Sequence, residues 1–179
     1  MSMSLQTTYN SAPAIGYAGL LEGGEPHDII TLKNVEPSAS IPFGAAVTFK
    51  TSSPATDLDS LLPAGSSDLV AGIVAHSNAY ARAWTDQSGN TYGDLDSTGL
   101  RNGVMMNVVR KGKILVTCVD GCTPGARLFV RYDAGHQGEL RSTDAGGSTC
   151  IDSTKQGQWL TTATAGNLAW LEVDFVNKP

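Results

Sequence analysis

Val104-Met105-Met106-Asn107-Val108-Val109-Arg110-Lys111-Gly112-Lys113-Ile114-Leu115-Val116-Thr117-Cys118-Val119 is the stretch that decides the fold class. Two apolar, β-branched runs flank a basic, glycine-bearing tetrapeptide, which predicts a hairpin: a strand over 104–109, a turn at 110–113, a strand over 114–119. Asp120-Gly121, a strong turn dipeptide, closes the second run. Downstream, Arg127-Leu128-Phe129-Val130-Arg131-Tyr132 sets Leu128, Val130 and Tyr132 on one face, and Asp133-Ala134-Gly135-His136-Gln137-Gly138 turns again. After a polar segment, Leu171, Val173 and Phe175 alternate with Glu172 and Asp174 in a last strand over 168–176.

Upstream of the hairpin the same period recurs. Asp28-Ile29-Ile30-Thr31-Leu32-Lys33-Asn34-Val35 reads as a strand ended by Glu36-Pro37, and Ala46-Val47-Thr48-Phe49-Lys50 alternates as a half-buried strand should. Residues 51–67 are polar, with a short turn of helix expected at 57–62. The continuous apolar run Leu69-Val70-Ala71-Gly72-Ile73-Val74-Ala75 reads as a central strand. Residues 77–103 form a long Gly/Asn/Asp/Ser-rich loop, a length that usually signals function or partner contact. Seven to nine short strands result, and the expected fold is all-β: one sandwich, jelly-roll-like or barrel body.

Composition agrees. Of 179 residues, 20 are Gly and 8 Pro, a punctuation that suits short strands joined by turns rather than long helices. A body of about 150 residues buries roughly 70% of its extended-chain surface, so it needs no disulfide or metal staple. The formal charge of −5 and pI near 5.0 argue against nucleic acid and anionic membranes as partners. No apolar stretch is long enough for a membrane helix. The opening residues lack the basic and apolar regions of a secretory signal, and Cys118, Cys122 and Cys150 form no disulfide framework, so synthesis in a reducing cytoplasm is expected.

Residues 1–26 differ from the rest. Leu5, Tyr9, Ile15, Tyr17, Leu20 and Leu21 follow neither a helical nor a strand period, and Gly16, Gly19, Gly23 and Gly24 disfavour a helix. The expected organisation is an extended arm over 1–26, able to span at most about 85–90 Å, and a body over 27–179.

Chemistry-bearing motifs are weak throughout. Cys118-x3-Cys122 has the wrong spacing for a zinc knuckle and lacks a second pair. Asp57-x-Asp59 and Asp94-x-Asp96 lack the remaining positions of a calcium loop. No nucleophile elbow surrounds a serine, no phosphate-binding loop is present, and His27, His76 and His136 stand in unrelated settings. The chain therefore reads as a binding protein rather than an enzyme, with no metal or cofactor. Trp84 and Tyr92 in the long loop either anchor a partner or cover the body's own core.

Several segments together resemble the structural cement proteins of tailed double-stranded DNA phages. Met3-Ser4-Leu5-Gln6-Thr7-Thr8-Tyr9 with Ala12-Pro13-Ala14-Ile15-Gly16-Tyr17-Ala18-Gly19 is similar to the family's arm. Pro42-Phe43-Gly44, Ala71-Gly72-Ile73-Val74-Ala75-His76-Ser77, Val109-Arg110-Lys111-Gly112-Lys113-Ile114, Gly125-Ala126-Arg127-Leu128-Phe129-Val130-Arg131-Tyr132 and Leu168-Ala169-Trp170-Leu171-Glu172-Val173-Asp174 follow in the family's order. Segments 51–67 and 85–100 depart from it in length or polarity. The resemblance implies a decoration protein on the virion's capsid exterior, bound to the major capsid protein and forming a homo-oligomer, dimer or trimer. The arm residues with Trp84 and Tyr92 are then the expected capsid contacts. The residues alone also admit a virion-associated receptor- or carbohydrate-binding β domain, with Ala83-Trp84-Thr85-Asp86-Gln87 as a sugar-stacking face.

Overall fold

In the computed structural model, residues 16–24, 26–37, 40–50, 58–80, 84–85, 91–95, 99–144 and 149–176 are described. They hold thirteen strands and no helix. The strands are β1 (Leu20–Leu21), β2 (Asp28–Asn34), β3 (Ala46–Phe49), β4 (Asp59–Leu61), β5 (Val70–Val74), β6 (Trp84–Thr85), β7 (Thr91–Tyr92), β8 (Met105–Cys118), β9 (Phe129–Arg131), β10 (Leu140–Arg141), β11 (Cys150–Asp152), β12 (Gly157–Trp159) and β13 (Asn167–Asp174).

The expected hairpin is absent. Residues 105–118 form one strand of 14 residues that runs through Arg110-Lys111-Gly112-Lys113 without reversing. The two apolar runs do not pair with each other because each has other partners. The first pairs with β2 and β5, and the second with β1 and β13. Gly112, at φ 133°, makes a distortion within the strand instead of a turn. Nearby, the β2–β8 register shifts between Asp28 and Ile29.

The strand must also bend. Asn107 accepts the Ala75 amide, His76 donates to Gly19, and Gly19 donates to Leu115, each within 2.9 Å. That chain of contacts holds Asn107 and Leu115 within about 16 Å, whereas a straight strand would separate them by about 26 Å.

Bending lets β8 close two circuits. The first runs β8–β2–β4–β3–β5 and back to β8, with Val109 paired to both Ile29 and Ile73. The second runs from β8 through β13 and β12, crosses the Arg127–Gln158 bridge to β9, and returns through β10, where Leu140 faces Cys118. Of the sandwich and barrel alternatives, the pairing is barrel-like and closed. Closure leaves few strand edges exposed.

Each circuit has its own core, and the alternation of β8 feeds both. Val108 packs with Leu32, Val47, Val74 and Met106; Val109 packs with Ile73, Ile114, Val116 and Leu171. Trp159 is fully buried in the second core, its indole N–H donating to the Arg141 carbonyl at 3.4 Å. Burying each Val, Leu or Ile side chain stabilises by about 1.5–3 kcal/mol. Asn34, also fully buried, donates to Leu100 O and accepts from the Glu36 amide, both at 2.8 Å, so its burial is compensated.

The expected helical turn at 57–62 is replaced by β4. The Lys33 amide donates to Leu58 O at 2.7 Å, so the segment is drawn into parallel pairing with β2. Inside the long loop, Trp84 faces Tyr92 across the two-stranded β6–β7 ribbon, and Leu100 bridges both Ile41 and Leu95.

At Gly72 the chain of β5 passes close against β8. A Cβ there would lie 2.3 Å from the Val109 carbonyl oxygen, at a φ of 156°. Gly72→Ala should cost about 2–3 kcal/mol in urea unfolding, at the upper end for overpacking, because a backbone atom cannot step aside. Gly125→Ala, with open space around it, should cost about 1 kcal/mol from its positive φ alone.

Candidate interaction surface

Of the apolar residues singled out before residue 26, Leu20 and Leu21 pair with β8. The Gly19 amide donates to Leu115 O at 2.8 Å, and Leu20 and Leu21 pair with Leu115 and Ile114. The Glu22 amide continues to Lys113 O, and its carboxylate meets the Lys113 ammonium at 3.5 Å. Gly19, at φ 85°, has no room for a side chain, because a Cβ would lie 2.7 Å from the His76 amide nitrogen. Residues 16–22 are therefore a fixed root alongside the central strand.

At that root the rings stack in a row. Tyr17 lies 4.3 Å from His76, His76 lies 4.6 Å from Phe43, and Phe43 lies 5.8 Å from Tyr80, centroid to centroid. Tyr80 holds the far end by accepting the Asn107 amide at 2.9 Å; burial pushes its phenol pKa up. Tyr17 remains 46% exposed at the near end. Beside it, Phe43, Gly44, Ala45, Thr117, Val119 and Leu140 line a mostly apolar hollow of about 220 Å³. The row offers an aromatic, half-desolvated platform where the chain enters the body, a composition suited to protein contact.

Of the expected contact residues, Tyr17, Leu20 and Leu21 are thus brought together. Trp84 and Tyr92 are cross-strand neighbours in the β6–β7 ribbon. Leu5, Tyr9 and Ile15 lie outside the described residues. His76 and Phe43 were not among the expected contact residues, because the row they form with Tyr17 is made across the fold and leaves no local period.

Each of the three histidines has a structural contact. His27 Nε2 meets Lys113 O at 3.4 Å, His136 Nδ1 meets Glu139 at 3.1 Å, and His76 lies between two rings. Among the described residues, no His, Cys, Asp and Glu side chains form a group of three placed to hold a metal. Cys118 and Cys122 are buried free thiols, and burial pushes both thiol pKa values up, away from nucleophilic thiolate. Asp120 ties the turn after β8 to residues 142–143. It accepts the Ser142 amide at 2.9 Å, the Thr143 amide at 3.0 Å and the Thr143 hydroxyl, and meets Arg141 Nε at 3.5 Å. Burial pushes this carboxyl pKa up, but the Thr143 and Ser142 hydrogen bonds outweigh it, and the net shift is downward. Arg131 is similarly clasped between Asp133 and Glu139.

A family model described as structural cement protein (E217 gp24/Pam3 gp6) matches residues 5–174. A chain from the capsid of Myoviridae phage XM1 superposes with a TM-score of 0.63 at 16% identity, covering 96% of this chain and 98% of that one; at that identity the likeness speaks to fold. No curated protein matches.

Because the folded pKa of Asp120 lies below its unfolded value, its ionised form adds stability above the ordinary carboxylate range and loses it as pH falls through the folded value. Asp120→Asn should lower unfolding stability at neutral pH by about 1–3 kcal/mol. The gap from the unsubstituted protein should begin to narrow below about pH 4 and close as pH falls through the folded value, which parallel urea titrations would show.

Proposed function

The chain belongs to the structural cement protein family, and from that premise we propose that it binds the outside of the major capsid protein shell and stabilises it against the pressure of packaged DNA. The family match carries the reading: it spans residues 5–174, the segment ahead of the body included. A capsid structural role and a place in the virion follow from the family; exterior binding, shell stabilisation and synthesis in the host cytoplasm are the finer proposal.

In this reading residues 1–26 are the shell-binding arm, with 16–22 as its root on β8. The residues before Gly16 number 15 and can reach at most about 50 Å from that root. They contain no Asp, Glu, Lys or Arg, so inserting them between shell subunits desolvates no side-chain charge. Extended backbone adds to an exposed sheet edge of the shell, and Leu5, Tyr9 and Ile15 fill side-chain pockets that fix its register. Tyr17 and the neighbouring ring row form the collar of the contact, and Trp84 and Tyr92 a second point of attachment. No step of this function needs turnover, a metal or a cofactor.

Deleting residues 1–15 should abolish decoration of purified shells while leaving the unfolding transition of the body intact. Undiminished decoration would reject the arm. Quantitative mass spectrometry of particles should give a ratio near one-to-one with the major shell protein; a handful of copies per particle would instead fit a receptor-binding role at the tail or a vertex.

A further inference from the structure

The hollow beside the ring row has a definite chemistry. Phe43, Val119 and Leu140 give it apolar walls, and Thr117 closes one side on β8. Two polar residues, Gln137 and Glu139, also line it. Glu139 keeps its place because Arg131 holds one carboxylate oxygen at 3.0 Å and His136 Nδ1 meets the other at 3.1 Å. A volume of about 220 Å³ suits one large side chain. Apolar walls with hydrogen-bonding groups among them match a phenol, whose ring is buried while its hydroxyl finds a partner. A leucine or isoleucine would cover those polar groups without answering them.

The chain's own amino-terminal segment enters the body at the edge of this hollow. A Cβ at Gly44 would lie 3.1 Å from the Ala18 Cβ, so Ala18 sits against the hollow's wall. The Leu20 amide donates to Tyr17 O at 3.2 Å, and that turn sets Gly16 back over Leu115, whose Cδ2 would lie 2.8 Å from a Cβ there. Leu115 is two residues from Thr117 along β8, which keeps Gly16 within about 15 Å of the hollow. Tyr9 stands seven residues ahead of Gly16 and can reach about 24 Å from it. Ile15 adjoins Gly16 and cannot cover the gap, and Leu5 can cover it but brings no hydroxyl. Residues 1–15 hold no Asp, Glu, Lys or Arg, so seating the segment draws no charged side chain toward apolar walls.

We infer that Tyr9 of the same chain seats in this hollow before the shell is met, and so holds the amino-terminal segment against its own body. The inference rests on the arm reading, in which Tyr9 is a shell contact: the seat and the shell compete for one side chain. A short tether keeps Tyr9 at an effective concentration in the millimolar range, about a thousandfold above that of a second copy at micromolar concentration. Occupancy from within the chain therefore prevails over exchange between copies. The seat lowers the segment's apparent affinity for the shell by the fraction of chains in which Tyr9 is free.

The test uses the full chain with Tyr9 intact. Asn10→Cys and Pro42→Cys, the second at an exposed position lining the hollow, are placed in a Cys150→Ser background. A short bis-maleimide should join the two new cysteines within one chain, at a rate independent of protein concentration. Adding Tyr9→Ala should slow the joining at least tenfold, to the background of a loose tether. Thr117→Trp, which fills the hollow from an exposed position, should slow it as much while the urea transition shows a folded body. With the native cysteines, Thr117→Trp should also speed decoration of purified shells severalfold, because Tyr9 is already free. Equal joining rates with and without Tyr9 would overturn the seat. Joining that occurs only between chains, in a mixture of the two single-cysteine variants, would make the occupant a second copy and overturn it as well. The two readings fail separately. A Tyr9-dependent link in a protein whose 1–15 deletion leaves decoration undiminished keeps the seat and removes the arm as the shell contact. A deletion that abolishes decoration, with no Tyr9-dependent link, does the reverse.

Discussion

The structure depends on a single strand belonging to two closed circuits at once. Residues Met105–Cys118 must supply partners to β2 and β5 in one half and to β1 and β13 in the other, so the strand has to change direction without breaking. Glycine is needed in two places for this. At Gly112 a side chain would strike the His27 ring, and at Gly72 it would strike the backbone of β8 itself. The period-2 alternation of β8 then distributes neighbouring residues to different cores: Val108 to one, Val109 to the other. Neither core closes without the shared strand, so the two halves form one cooperative body rather than two lobes on a linker.

This architecture holds two part-apolar surfaces apart. The root at residues 16–22 and the ring row of Tyr17, His76 and Phe43 occupy one end of β3 and β5; a groove lined by Phe49 and Leu69 occupies the other. Between them the polar side chains are spent on holding turns. Asp120 collects the donors of residues 142 and 143, Arg131 is gripped by two carboxylates, and Asn34 closes the end of β2.

Much of the fold was legible in the sequence where strands bury one face or both. The strand-like composition of β2, the alternation in β3 and β13 and the unbroken apolar run of β5 located those strands to within a residue or two. The misreadings have one cause. Turn and helix signals are local, whereas the chain at 110–113 and 57–62 answers to partners far away: β13 and β2 in the first case, Lys33 and Phe49 in the second. The short strands β10, β11 and β12 span too few residues to display a period, so fully buried Trp159 sat unnoticed in a polar segment. The candidate surface was less legible. Irregular apolar spacing singled out Tyr17, Leu20 and Leu21, but nothing local announces that Phe43 and His76 complete their platform, or that Phe49 and Leu69 line a groove with Ile151.

The root has a mechanical consequence. Any tension drawn along the amino-terminal segment enters the body at Gly16 and is handed to Leu115 and Lys113 through the bonds of Gly19 and Glu22. Those acceptors lie on the innermost strand of the fold, so the load spreads into both barrels together. A segment tethered to a peripheral strand could be peeled away one hydrogen bond at a time. Here the first bonds to take the load are the short pairing of β1 with β8 and the Glu22–Lys113 ion pair, and behind them the chain runs on into β2, which is laddered to the same strand.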